Sequence, residues 1–239
     1  LPDKRSHRGP HPEDSQLFGQ SALPALREAA GHYLWLLDRG YPPNATIKLV
    51  GDRHRLTQRQ RLAIGRCSCS RQKLLRRVGS KRSLDDLGGQ SLLLDGYNVL
   101  TTVEAALGGG VVLAARDECY RDMASMHGTY RKVEETMPAL ESIGQTLQQA
   151  QIGPVRWYLD SPVSNSGRLA AVIRDLAQQR GWCWQVELVL DPDAVLAHAE
   201  APVATADSEI LDRCCAWLNL ARIVVEHHVL QAWVVDFVR

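Results

Sequence analysis

No uninterrupted apolar stretch in this chain approaches the roughly 18 residues that a membrane-spanning helix needs, so a helical span is excluded and no membrane partner is expected. No CxxC pair occurs among the six cysteines, and Cys67-Ser68-Cys69 is too tight for a zinc knuckle. The scattered thiols read as those of a reduced, cytoplasmic protein rather than a disulfide framework. No Gly-Lys-Ser/Thr follows Gly108-Gly109-Gly110, which excludes a phosphate-binding P-loop and leaves a flexible connection. Residues 1–15 lack a secretory pattern; being polar and proline-rich, they are expected to be disordered. Aromatics are few at 6%, yet 45% of the residues are hydrophobic, enough for one large or two small globular domains. There is no internal repeat.

A net charge of +1 hides a division. Residues 1–88 hold 17 Lys and Arg against 8 Asp and Glu, whereas residues 89–239 hold 11 against 19. Between 45 and 82, twelve basic residues stand beside one acid, Asp52. Such separation points to two domains with different partners. Residues 21–40 have helical periodicity ending at Gly40, and Tyr41-Pro42-Pro43 is a rigid turn. Asn44, Thr57 and Ser70 are candidate caps of three further short helices. Arg53, Arg55, Arg59, Arg61, Arg66, Arg71, Lys73, Arg76 and Arg77 crowd these helices and suit a polyphosphate backbone, by phosphate contact rather than base readout. The competing reading is a solvated or intramolecular face that offsets the acidic half. The organisation expected is a disordered 1–15, a basic all-α domain at 16–79, a linker at 80–89 and an α/β domain at 90–239.

Three β-prone runs end in an acid and open a helix: Leu92-Leu93-Leu94-Asp95, Val155 to Asp160, and Pro202 to Asp207. Chemistry in open α/β sheets collects at the carboxyl ends of strands, and a carboxylate there is costly unless solvated, hydrogen-bonded or bound to a cation. Further elements expected are a helix near 99–107, a long helical stretch from about 116 to 149 with a candidate break near Pro138, helix 166–180, strand 182–189, helix 208–219, and late strands at 223–225 and 233–235. The alternation argues a parallel sheet with helical crossovers.

Asp95, Asp160 and Asp207 offer hard oxygen donors suited to Mg²⁺ or Mn²⁺ if their strands are neighbours. On the long helix, His127, Arg131 and Glu134 would share a face, making Glu134, ahead of Glu135, a fourth contributor; a solvated salt-bridged face is the alternative. Asn98, one turn past Asp95, would orient it or hold a metal-bound water. Ser164, Asn165, Ser166 and Arg168 lie at an expected helix N-terminus, where N–H groups attract anions, with Ser166 as cap. Asp191 and Asp193 are candidate accessory acids, but an Asp191-Pro192-Asp193 turn explains them adequately.

Taken together, Leu94-Asp95-Gly96-Tyr97-Asn98-Val99, the 127–136 segment, Leu159-Asp160-Ser161-Pro162 and Thr205-Ala206-Asp207 resemble the PIN-like and NYN nuclease superfamily. The likeness is closest to a prokaryotic branch with a basic helical N-terminal domain. It implies a PIN-like parallel sheet flanked by helices, one or two Mg²⁺ or Mn²⁺ ions held by acids, and phosphodiester cleavage, most often in RNA. Carried onto this chain, the acids are Asp95, Glu134 or Glu135, Asp160 and Asp207, supported by Asn98, His127, Arg131 and Asn165. The additional acid that many members carry has only Glu226 and Asp236 as counterparts. The expected function is therefore a metal-dependent ribonuclease, with self-association left open. The rivals are a non-catalytic nucleic-acid-binding protein and a small-molecule phosphatase. A haloacid-dehalogenase-type enzyme is disfavoured because Asp95-Gly96-Tyr97 lacks a second Asp.

Overall fold

A computed structural model describes residues 7–123 and 130–238. The N-terminal helices are α1 (Asp14–Phe18), α2 (Leu23–Leu37), α3 (Pro43–Arg53), α4 (Gln58–Cys67) and α5 (Arg71–Ser80). There follow β1 (Lys81–Arg82), β2 (Leu92–Asp95), α6 (Gly96–Leu107), β3 (Val112–Ala114), β4 (Tyr120–Asp122) and α7 (Thr136–Gln149). The remainder comprises β5 (Val155–Asp160), α8 (Ser166–Arg180), β6 (Trp184–Val189), α9 (Pro192–Ala197), β7 (Val203–Ala204), α10 (Ser208–Leu211), β8 (Trp217–Leu218), α11 (Leu220–His228) and β9 (Val234–Asp236). The chain is thus α/β, with a six-stranded parallel sheet of order β1-β8-β7-β2-β5-β6 and a smaller sheet of order β4-β3-β9.

Local chemistry explains the helix starts. Thr57 and Gln60 form a reciprocal capping box on α4, and Ser70 accepts from the Lys73 N–H on α5, which satisfies N–H groups left over in the first turn. At α3 the start is Pro43, with Asn44 inside the first turn rather than capping it. Ser166 likewise does not cap α8: its hydroxyl donates to the Ser161 carbonyl, and the preceding Asn165 adopts a left-handed φ of 69°.

β2 is central, paired with β7 on one side and β5 on the other. Its apolar run continues directly into α6, which is buried along most of its length between the two sheets. Gly96 makes this turn feasible. A Cβ at that position would lie 2.8 Å from the Tyr158 carbonyl oxygen and 2.5 Å from Leu159 Cδ2. Gly96→Ala is therefore expected to destabilise the fold by about 1–3 kcal/mol, measured by urea unfolding; an unchanged midpoint would show that β5 can yield.

Four expectations are corrected. Residues 116–149 are not one helix: 120–122 pair with β3, because Tyr120, Arg121 and Asp122 are buried against the small sheet and α6, residues 130–135 are irregular, and α7 begins at Thr136. Ile223-Val224-Val225 lies in α11, and the extra strand of the large sheet is Trp217–Leu218, which shortens the expected 208–219 helix to α10. Lys81–Arg82 is not free linker but the edge strand against β8. Residues 7–15 are not a disordered lead: Asp14 is buried and held by Arg59, and Arg8 reaches into the core to pair with Glu104.

The N-terminal helices share one core with the small sheet. Leu26, Ala30, Tyr33 and Ile64 join Val111, Leu113, Val235 and Phe237. Among the described residues no helix is long and apolar enough to cross a membrane.

Candidate functional site

Parallel pairing brings the strand-end acids to one edge. Asp95 aligns with Tyr158 on β5, two residues before Asp160, and Leu94 aligns with Ala204 on β7, three residues before Asp207. Asp95 is buried, and its carboxylate accepts from the Thr205 hydroxyl at 2.7 Å. Burial pushes its pKa up to about 8; the Thr205 bond opposes this, and the charges of Asp207 and Asp193 add to the rise. Asp160 is also raised, by burial first and then by Asp191.

Asp193, assigned from the sequence to a turn rather than to the site, belongs with these acids. It sits in the first turn of α9. Burial, then the fields of Asp207, Asp160, Asp191 and Glu209, raise it to about 6. It is thus coupled to each of Asp95, Asp160 and Asp207. Within Asp-Pro-Asp, Asp191 does perform the expected local role, capping α9 by accepting from the Ala194 N–H. That leaves the second Asp unexplained, and this was the available signal. Asp207 caps α10, accepting from the Glu209 and Ile210 N–H groups. Among the described residues none of Asp95, Asp160, Asp193 and Asp207 forms an ion pair with Lys, Arg or His.

These four acids are hard oxygen donors, as Mg²⁺ or Mn²⁺ requires, and mutual repulsion that raises their pKa values is what a divalent charge would relieve. The donor chemistry fits such an ion. Among the described residues no three of their carboxylate oxygens lie within 4.8 Å of one another, so binding would draw the side chains together.

Asn98 does not face a ligand with its side chain. Its Oδ1 accepts from the Ala206 N–H at 2.8 Å and so ties α6 to the turn carrying Asp207. Tyr97 is buried beside Asp160; burial and that charge raise it to about 12, and its hydroxyl lacks a hydrogen-bond partner among the described residues.

Glu134 and Glu135 are not brought to this edge. Residues 130–135 are irregular, and Tyr130 is docked by its N–H on the Ser164 carbonyl and by its own carbonyl on the Asn165 side chain. Glu135 binds His7 and the Arg8 N–H, and its Oε1 lies 3.1 Å from where a Cβ of Gly108 would stand. Gly108 closes α6, about 18 Å of helix away from Asp95. Glu134 is exposed and faces His7. Arg131 is exposed in the same irregular segment, so the shared helical face with Glu134 does not exist. His127 lies outside the described residues.

The basic set divides. Arg77 is buried against Asp117 and Asp212, Arg59 binds Asp14, Arg61 pairs with Asp52, and Lys73 pairs with Asp212. Arg66 donates to the Asp122 carbonyl and Arg76 to the Arg213 carbonyl. Arg53, Arg55 and Arg71 are exposed, with no ion pair to their side chains among the described residues. The intramolecular reading therefore accounts for six of the nine.

Residues 84–223 match the family described as domain of unknown function DUF5616, and residues 25–79 match that described as protein of unknown function DUF434. The chain is similar to the uncharacterized protein MJ0935 of Methanocaldococcus jannaschii, 30% identical over 187 residues that cover 78% of this chain and 89% of the relative. No solved structure matches the chain.

Proposed function

We propose that this chain, which belongs to the DUF5616 family, is a metal-dependent nuclease with a PIN-like α/β domain acting on RNA. The observation that carries the reading is the set Asp95, Asp160, Asp193 and Asp207. It is drawn from neighbouring parallel strands and the turns after them, electrostatically coupled, and without a pairing cation among the described residues. These residues would hold Mg²⁺ or Mn²⁺. Such an ion supplies an activated water at neutral pH and charge neutralisation at the phosphate. Thr205 fixes the rotamer of Asp95, and Asn98 fixes the turn that presents Asp207. Asp193 replaces Glu134 as the fourth acid. Arg53, Arg55 and Arg71 are the exposed cations suited to the phosphate backbone.

The test is cleavage of labelled RNA with Mn²⁺ and its arrest by a chelator. Asp193→Asn and Asp207→Asn are each expected to lower the rate at least about 100-fold, with binding retained. Arg53→Ala with Arg55→Ala should leave cleavage intact at saturating RNA. That double variant should weaken binding and reduce the slope of log K against log salt by about 0.7 per lost phosphate contact on a single strand. Unchanged cleavage in both acid variants would refute the assignment. Because Leu113, Val235 and the N-terminal helices share one core, removing residues 1–90 would unfold the protein and cannot separate nuclease from phosphatase. Direct comparison of RNA with a small phosphomonoester does so.

A further inference from the structure

We infer that Glu28, His32 and His54 form a second metal site, chemically distinct from the acid cluster, for a late first-row divalent ion of the zinc type. One ligand atom from each of the three lies within 4.8 Å of the others. Glu28 and His32 are one turn apart on α2, the i, i+4 spacing that stacks two side chains on one helix face. His54 comes from a different element, directly after α3. Its place is fixed by its N–H on the Val50 carbonyl and by the Leu56 N–H on the Gly51 carbonyl, with Arg55 between them at a φ of 50°.

The two imidazoles meet nitrogen to nitrogen, His32 Nδ1 to His54 Nε2, at 2.9 Å. One ring donates a proton there and the other accepts it. An ion bonded at about 2.0–2.1 Å holds neighbouring donor atoms about 2.9–3.4 Å apart, so the two nitrogens are already within that range, and binding needs only a rotation of the rings from their head-on hydrogen bond toward a shared point. On binding, the donor ring transfers its proton to its own outer nitrogen by tautomer exchange, and both inner lone pairs bond the metal; no net proton is needed. Glu28 makes no ion pair among the described residues and supplies the third donor and a negative charge. Two nitrogens and one oxygen favour Zn²⁺, Co²⁺ or Ni²⁺, whereas the all-oxygen cluster favours Mg²⁺ or Mn²⁺. Glu28 and His32 are exposed and His54 half-buried, so an ion there would clamp α2 to the α3–α4 turn while leaving coordination positions open to solvent.

The experiment uses the full chain without a polyhistidine tag and Co²⁺ as a coloured probe, with Zn²⁺ as competitor. With excess Mg²⁺ present to occupy the acid cluster, one Co²⁺ per chain is expected, with visible d–d absorption that Zn²⁺ abolishes. His32→Ala and His54→Ala should each remove the bands, and Glu28→Gln should weaken binding at least about tenfold, while circular dichroism is unchanged. Asp95→Asn and Asp207→Asn should keep the bands, which separates this site from the acid cluster whatever the fate of the nuclease reading. Bands surviving in both histidine variants, or no saturable uptake by the unaltered chain, would overturn the inference.

Discussion

Asp95→Asn is expected to stabilise the metal-free protein at pH 8 while abolishing Mn²⁺-dependent cleavage. The carboxyl of Asp95 is buried, and its pKa is about 8 in the folded chain against an ordinary 3.8. Between those values the native state binds more protons than the unfolded state, so stability falls as pH rises through the window. The penalty is absent below about pH 4 and complete above about pH 8. Asn has no charge to bury and its carbonyl accepts the same Thr205 hydroxyl. The gain at pH 8 should be about 5 kcal/mol, or roughly 10–20 °C in unfolding temperature for a chain of this size. At pH 4 the two proteins should unfold together. Saturating Mn²⁺ should raise the unfolding temperature of the unaltered chain and barely move the variant, because only a carboxylate gains from the ion. Equal stability at pH 8, with Mn²⁺ shifting both alike, would remove Asp95 from any cation site.

The second large effect concerns a residue read from the sequence as a phosphate contact. Arg77 is 1% exposed, and its guanidinium reaches Asp117, Asp212 and the Ser208 carbonyl. Burial works to raise the Asp117 carboxyl, yet Arg121 and Arg77 outweigh it and hold that carboxyl well below its ordinary range. Arg77→Ala leaves Asp117 buried with Arg121 alone, at a cost of about 3–5 kcal/mol. Urea unfolding checks it. RNA affinity of the protein that remains folded should be unchanged, since the side chain has no path to solvent. By contrast, Arg53→Ala should change stability by no more than about 0.5 kcal/mol. A soluble, fully stable Arg77→Ala protein with weakened RNA binding would restore the original reading.

The difference between Arg77 and Arg53 marks the limit of reading charge from a linear chain. Both stand in the same basic run, and composition gives them the same weight. Which arginine is consumed depends on Asp117 and Asp212, 40 and 135 positions away. The same holds for the N-terminal segment, whose polar composition gave no sign that Arg8 inserts beside Glu104, 96 residues on.

The helical phase of 127–135 failed for a related reason. The spacing of His127, Arg131 and Glu134 fits a helix, but burial of Tyr130 against Glu104 and Thr136 draws the described part of that segment out as irregular chain. Asp193 was visible yet undervalued, because an Asp-Pro-Asp turn explains one acid and hides the other.

By itself the sequence determined that Asp95, Asp160 and Asp207 end apolar runs and open turns, that the body is α/β, and that Thr57 and Ser70 begin helices. Those features rest on contacts within a few residues, where strand period and cap chemistry act. Only the tertiary structure decided that Asp193 joins the acids, that Glu134 stands apart, and that two histidines 22 residues apart meet. Strand order and helix packing bring together side chains whose separation along the chain carries no periodic signal.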